Sequence, residues 1–431
     1  MKKLFCLVVL FLIASAAPVR AEGAIQITAN KFTNQFPTRL LFELVAKSNA
    51  IISKIALTTQ VDGQTANARF DPPFNPDAQV TVSYEWFISR NYVPPGVTGQ
   101  YWWTIQDDAG NLAVTPKQNF RVEDAAIDWK KLSNGKLTLA WYNGADNFGK
   151  ALFDRSVQAM NYLQQDTGVT VDQPVQIWIY GNRTDFFRAL GPGAREWTGG
   201  RAHPEYGIIL INIETTALEW GKVATAHELA HIIIREKIRG PLGALSMPQW
   251  MDEGLAVYYE TFPNKLDNQF SAPLKRALDS DKLLSLRSIS GNFPFSAAEA
   301  NLAYAEGFSV VDFIYRIYGR DKMTRVLQLL QIGGDYDDIF RAVFGFDTDG
   351  LENVWRVDIG AKPRALATRV GIIPAPIPTF GLSTDPTILQ TPAPPAPTAA
   401  PIAPNPVTTT CGSGLGILSL GILGMLLLRR N

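Results

Sequence analysis

Between Val223 and Ile234 the chain runs twelve residues without glycine or proline, apolar on nearly every face, yet it carries His227, Glu228 and His231. A helix that is apolar all round has to lie inside a larger domain. A polar triplet at its centre then needs partners, because an unpartnered buried polar group is costly. Positions i and i+4 share one helical face, so a single cation can satisfy both imidazoles. His-Glu-x-x-His is the spacing with which a helix presents two histidines to zinc and sets a glutamate beside them as a base. The whole sequence of 431 residues holds only three histidines, so a histidine-rich composition does not explain the pair.

Two ligands leave a catalytic zinc incomplete, since such sites use three protein ligands and keep one open position. No third histidine follows the pair, and a carboxylate from a second helix is the other solution. Ser246 with Gln249 reads as a capping box that opens a helix. On that reading Glu253 lies two turns in, and Gly254 lets another backbone come close. The stretch Trp250-Met-Asp-Glu-Gly-Leu-Ala-Val-Tyr-Tyr-Glu260 resembles the W-L-x-E-G-x-A-x-Y-x-E signature of gluzincin metallopeptidases. It is closest in pattern to their aminopeptidase branch and to peptidase-MA-like domains. The resemblance spans residues 128–370 and implies that His227, His231 and Glu253 hold one Zn²⁺ while Glu228 is the general base. Gluzincins place the glutamate about 18–20 residues after the second histidine. Here 21 residues intervene, which fits a longer loop through Arg239-Gly240-Pro241-Leu242-Gly243.

Other segments extend the resemblance. Tyr304-Ala-Glu-Gly-Phe-Ser-Val-Val-Asp-Phe-Ile is similar to the stretch whose tyrosine hydroxyl donates to the oxyanion, which implies that role for Tyr304. Gly199–His203 and the strand to Asn212 resemble the edge strand that lines the cleft, which can pair with an extended peptide. His203 itself reads as a loop histidine. Asp252, Glu260 and Glu306 are candidates to orient the two ligand imidazoles. The G-x-M-E-N motif with which the aminopeptidase branch binds a free amine is absent. That departure points to an endopeptidase, with a non-peptide amide substrate as a second possibility.

The rest of the chain supplies the setting. Lys2, Lys3, the apolar run Leu4–Ala17 and the small residues around Val19-Arg20-Ala21 read as a signal peptide over 1–21. Residues 24–125 read as a β-sandwich: runs at 25–28, 40–45, 55–59, 80–84 and 100–105 are separated by turn-forming pairs such as Asp62-Gly63. The segment from Tyr101 to Asn111 loosely resembles the last hairpin of immunoglobulin-like modules. Trp102 and Trp103 must face opposite ways on a strand, so only one can be core. From 128 to 370 strands give way to helices, an α+β domain that becomes mostly helical, and the chain as a whole reads as multidomain. Residues 371–410 are a proline-rich linker, with eleven of the 28 prolines between 374 and 406. Residues 411–431 form a short apolar segment ending in Arg429-Arg430, either a membrane anchor or a sorting tail of the kind found on exported bacterial proteins.

Lys plus Arg equals Asp plus Glu at 40 each, which gives no electrostatic case for nucleic acid. Cys6 belongs to the signal segment, so Cys411 is left without an intramolecular disulfide partner. The expected partners are therefore a peptide or protein substrate outside the cytoplasm and a membrane met through the C-terminal segment. The rival expectation is a surface-anchored binding or scaffold protein built on an inactive peptidase fold. An intact Glu228 between its histidines argues against it.

Overall fold

The computed structural model describes residues 24–365, apart from 172, 192–198, 241–242, 262–267, 292 and 294–295. The segments expected as signal peptide (1–21), linker (371–410) and tail (411–431) lie outside the described residues. Among the described residues no helix is long and apolar enough to cross a membrane.

The first seven strands are β1 (Ile25–Gln35), β2 (Arg39–Val61), β3 (Ala68–Phe70), β4 (Asp77–Phe87), β5 (Thr98–Asp107), β6 (Leu112–Val114) and β7 (Gln118–Arg121). They form one antiparallel sheet. The strand β2, 23 residues long, ties it together. Its first half pairs with β1 and β4, and its second half pairs with β5 and β3. The register shifts between Lys47 and Lys54, where a bulge bends the strand. The runs predicted at 40–45 and 55–59 are thus the two halves of one strand. Along β5 Tyr101, Trp103 and Ile105 are buried, while Gln100, Trp102 and Thr104 alternate outward. Trp103 is the core tryptophan, and Trp102 carries the Lys117 ammonium 4.5 Å above its ring.

The second part opens with β8 (Lys130–Ser133), β9 (Leu137–Trp141), α1 (Asp146–Thr167), β10 (Val175–Tyr180), α2 (Arg183–Leu190), β11 (Gly200–His203) and β12 (Ile208–Asn212). Its sheet runs β11-β12-β10-β9-β8. The central β9, β10 and β12 are parallel, with antiparallel β8 and β11 at the two edges. Both faces of this sheet are covered, as the unbroken apolar runs at 177–180 and 208–211 require. Leu139, Ile177, Ile179, Ile209 and Ile211 face the core of the helical half. Ala140, Trp178, Tyr180, Ile208 and Leu210 join the core of the β domain.

Polar contacts pin that second interface. The buried Asp124 carboxylate accepts two hydrogen bonds from Arg188, at 2.9 and 2.8 Å, and a third from the Tyr180 hydroxyl at 3.2 Å. Tyr92 donates to the Ala189 carbonyl at 2.8 Å, and the His203 ring packs 5.5 Å from the Tyr92 ring. His203 therefore ends a strand and is buried against the β domain, rather than lying in a loop.

Among the described residues eight α-helices follow: α3 (Leu218–Lys237), α4 (Gly243–Ser246), α5 (Gln249–Thr261), α6 (Asn268–Asp279), α7 (Ala297–Phe313), α8 (Gly319–Ile332), α9 (Tyr336–Phe344) and α10 (Thr348–Asp358), with a π turn at Ile314–Tyr318. The capping box expected at Ser246 is not the start of α5. Ser246 closes the short α4, and α5 begins at Gln249, so Glu253 lies one turn in and not two. The first N–H groups of α5 find distant partners: Gln249 donates to the Ser290 carbonyl at 2.8 Å and Trp250 to Ile289 at 3.1 Å.

Helices α5 and α7 touch where Gly254 meets Gly307. A Cβ on Gly254 would lie 2.4 Å from the Gly307 carbonyl oxygen, and one on Gly307 would lie 2.5 Å from the Trp250 carbonyl oxygen. Only backbone stands in the way, so neither clash is relieved by a rotamer. Gly254→Ala is expected to destabilise the fold by about 1–3 kcal/mol, the range for overpacking, measured by denaturant unfolding.

Glu306 sits apart from the histidines. Its carboxylate accepts the Leu284 N–H at 2.9 Å, in a loop that Glu352, Arg356 and Arg364 also brace. The expectation that it orients a ligand imidazole is therefore corrected. Burial pushes the Glu306 carboxyl up to about 8, against the opposing pull of Arg356. An acid raised in the folded state keeps a proton that the unfolded chain has lost, so stability falls as pH rises from the ordinary glutamate range to about 8. Glu306→Gln should flatten that fall, as read from unfolding midpoints across pH 5–9, a span that brackets the titration.

Candidate metal centre

Helix α3 leaves the sheet after β12 and runs through the core, with Ala226, Leu229, Ala230, Ile232, Ile233 and Ile234 buried around the polar triplet. Helix α5 brings Glu253 against it. The His227 and His231 Nε2 atoms are 3.2 Å apart, and the Glu253 Oε2 atom lies 3.4 Å from the first and 3.5 Å from the second. Four donors around zinc at 2.0–2.1 Å would stand about 3.3 Å apart in a tetrahedron. Three corners of that figure are present here.

The outer nitrogens explain why the inner ones converge. The Nδ1 of His227 is 2.6 Å from Glu260 Oε2, and the Nδ1 of His231 is 3.2 Å from Asp252 Oδ1. A proton held on each Nδ1 by a carboxylate leaves both Nε2 lone pairs facing inward. Arg235 closes the shell by donating to the second Asp252 oxygen at 2.5 Å, and Gln249 donates to Glu253 Oε1 at 2.7 Å. Glu253 Oε2 is buried and has no hydrogen-bond donor. Two imidazole lone pairs and an orphaned carboxylate oxygen aimed at one point are acceptors without a donor, and a divalent cation is the group that satisfies all three.

The electrostatics agree. Burial disfavours charge on His227, yet Glu260 and Glu253 outweigh it and push the imidazole up to about 10. Burial likewise opposes charge on His231, while Asp252 and Glu253 drive its proton affinity well above the usual histidine range. Burial would raise Glu253, but the two imidazoles hold it far below the ordinary carboxylate range. The surrounding carboxylates therefore make the point between the two imidazoles one where positive charge is favoured.

Glu228 points toward β11. Burial raises its proton affinity, with the two imidazoles and the Ala202 N–H pulling the other way. A Cβ on Gly200 would lie 2.4 Å from Glu228 Oε1, so a larger residue there would displace the carboxylate. The Tyr304 ring lies 6.2 Å from the His227 ring and packs edge-on against Phe293 at 5.0 Å. The structure thus brings together His227, His231, Glu253, Glu228 and Tyr304, with Asp252 and Glu260 behind the histidines. Sequence reading missed Arg235 and Gly200. Arg235 stood one turn beyond His231 on the same stripe, a visible signal, whereas Gly200 is intelligible only through its contact.

A helix that presents two histidines one turn apart, closed by a glutamate from a second helix, defines a metallopeptidase domain of the gluzincin type. Residues 155–361 match the family model of the Peptidase MA superfamily, and this part of the chain is a peptidase-MA-like domain preceded by a β-rich domain. Among solved structures the chain is similar to an M1 zinc metallopeptidase from Deinococcus radiodurans, at 12% identity over 77% of this chain and 91% of that one, with a TM-score of 0.35. It is also similar to an aminopeptidase N family protein from Idiomarina loihiensis, at 11% identity over 76% of this chain and 74% of that one, with a TM-score of 0.39. A search of curated proteins finds no match.

The purified chain is expected to carry one zinc ion, measured by elemental analysis, and Glu253→Ala should remove it. Glu260→Gln keeps all three ligands and should weaken zinc affinity by roughly 10–100-fold in chelator competition, the usual effect of losing an outer carboxylate.

Proposed function

We propose that this chain is a zinc-dependent peptidase that acts outside the cytoplasm and cuts within peptide chains. The observation that carries the reading is the closed triangle of His227, His231 and Glu253 with Glu228 poised between it and the open edge of the sheet. A zinc ion held by those three side chains would supply Lewis acidity toward the scissile carbonyl and acidify water.

The chain's own groups do the remaining work. The edge strand β11 pairs with an extended substrate and fixes its backbone by strand addition. Glu228 accepts a proton from the attacking water and returns it to the leaving amine. Burial raises the proton affinity of that carboxylate, which favours its taking up the proton. The Tyr304 hydroxyl donates to the oxyanion as charge develops. Endopeptidase action is favoured because β11 carries no acid able to take a free amine, its residues being Gly200, Arg201, Ala202 and His203. Export is supported by the signal-like segment 1–21, and retention at the membrane or cell surface by the apolar 411–431.

Glu228→Gln should keep zinc and lose hydrolysis of a quenched protein substrate by at least about 10³-fold, and Tyr304→Phe should cost about 10²–10³ in kcat. Full activity in zinc-loaded Glu228→Gln would sink the assigned base.

A further inference from the structure

Strand β11 is an edge of its sheet among the described residues, and its free side is the side of Glu228. The Asn212 N–H donates to the Gly199 carbonyl, and Arg201 and His203 stand opposite Leu210 and Ile208. In an antiparallel ladder inward and outward backbone groups alternate, so the odd-numbered residues bond to β12 while Gly200 and Ala202 turn theirs outward. The Ala202 N–H reaches the Glu228 carboxylate accordingly. A peptide laid along this edge passes directly beside the base.

Arg201 sits between those two outward positions. Its side chain leaves the opposite face of the sheet from the Gly200 and Ala202 side, toward Tyr92 and Glu205. It is exposed and, among the described residues, makes no hydrogen bond or ion pair. Glu205 lies nearer another partner, with its Oε1 3.8 Å from His203 Nδ1. The substrate residue directly across from Arg201 would project its side chain on the same face, with Cβ atoms about 4.5–5.5 Å apart. Around the metal centre Glu228, Asp252, Glu253 and Glu260 repel a substrate carboxylate, and Arg235 is already engaged by Asp252. Among the described residues of β11, Arg201 is a cation without a hydrogen bond or ion pair, and the same charge repels a substrate's terminal ammonium.

We infer that Arg201 is a specificity residue that selects substrates bearing a carboxylate on the residue paired with it, next to the scissile bond. The inference rests on β11 being the substrate strand of the proposed peptidase. The carboxylate can come from an acidic side chain or from the substrate's C-terminus.

The test uses the zinc-loaded full chain and matched quenched peptides with Glu, Gln or Lys scanned across the positions flanking the cut, acetylated at one end and amidated at the other. A second set carries a free C-terminal carboxylate. An opposite-charge cross-strand pair should give about a three- to fivefold preference in kcat/KM for Glu over Gln at one position. The preference should vanish in Arg201→Gln, turn toward Lys in Arg201→Glu and survive in Arg201→Lys. A preference that follows the free C-terminus and not the scanned Glu assigns the carboxylate to the chain end. The same ratios in wild type and Arg201→Gln overturn the inference. Peptide binding to zinc-loaded Glu228→Gln, read by fluorescence polarisation, separates the two readings. If no peptide is ever cut but Arg201-dependent preference persists in binding, the peptidase reading falls and the role of Arg201 stands. If binding shows no such preference, the role of Arg201 falls.

Discussion

Three acceptors with no donor among them meet inside a protein. The Nε2 lone pairs of His227 and His231 and the Oε2 atom of Glu253 stand within 3.5 Å of one another. Acceptors taken out of water and turned on one another are unstable unless something positive lies between them. Most of the second half of the chain can be understood as holding that arrangement. Asp252 and Glu260 lock the imidazoles from behind, Arg235 holds Asp252, and Gln249 holds the other oxygen of Glu253. The whole α5 side of the site depends on a start that is capped by carbonyls forty residues away in sequence and on a glycine-to-glycine contact with α7.

The same contact links two parts of the chemistry. Gly254 follows the ligand Glu253 directly, and Gly307 lies three residues beyond Tyr304, so the closest approach of the two helices sets the distance between the carboxylate and the hydroxyl. On the opposite wall Gly200 performs a comparable service, since its missing side chain is what lets Glu228 lie against the strand. Three glycines thus fix how near the reactive groups stand to backbone, a job that no larger residue could share.

Much of the site was legible because its chemistry is local. Two histidines four apart on an apolar helix report a metal helix from spacing alone, and the Trp250–Glu260 signature located Glu253. The alternation rule required that only one of Trp102 and Trp103 lie inside, and the structure makes it Trp103. What was not legible depended on tertiary partners. The capping box at Ser246 looked sound, yet Pro248 and the carbonyls of Ile289 and Ser290 determine where α5 begins. Glu306 was as plausible as Asp252 or Glu260 in one dimension, and only the crossing of α5 and α7 shows that it faces the Leu284 loop. The short β8 and β9 escaped notice because Lys130–Ser133 is polar and Leu137–Trp141 is too brief to declare a period. The bend in β2 hid a single strand behind two separate runs, since a bulge breaks the alternation that would have joined them.

The shared core of the β domain and the five-stranded sheet has a mechanical consequence. Two domains that meet across a polar, modest interface rock against each other by default. Here Trp178, Tyr180, Ile208 and Leu210 belong to the same apolar cluster as Leu40, Phe42 and Trp103, and a buried carboxylate–guanidinium clamp crosses the join. A hinge at that seam would have to wet aromatic rings and strip Asp124 of its partners. The back of the catalytic sheet is therefore a fixed wall, and any breathing that admits a bulky polypeptide has to come from the helices in front of it.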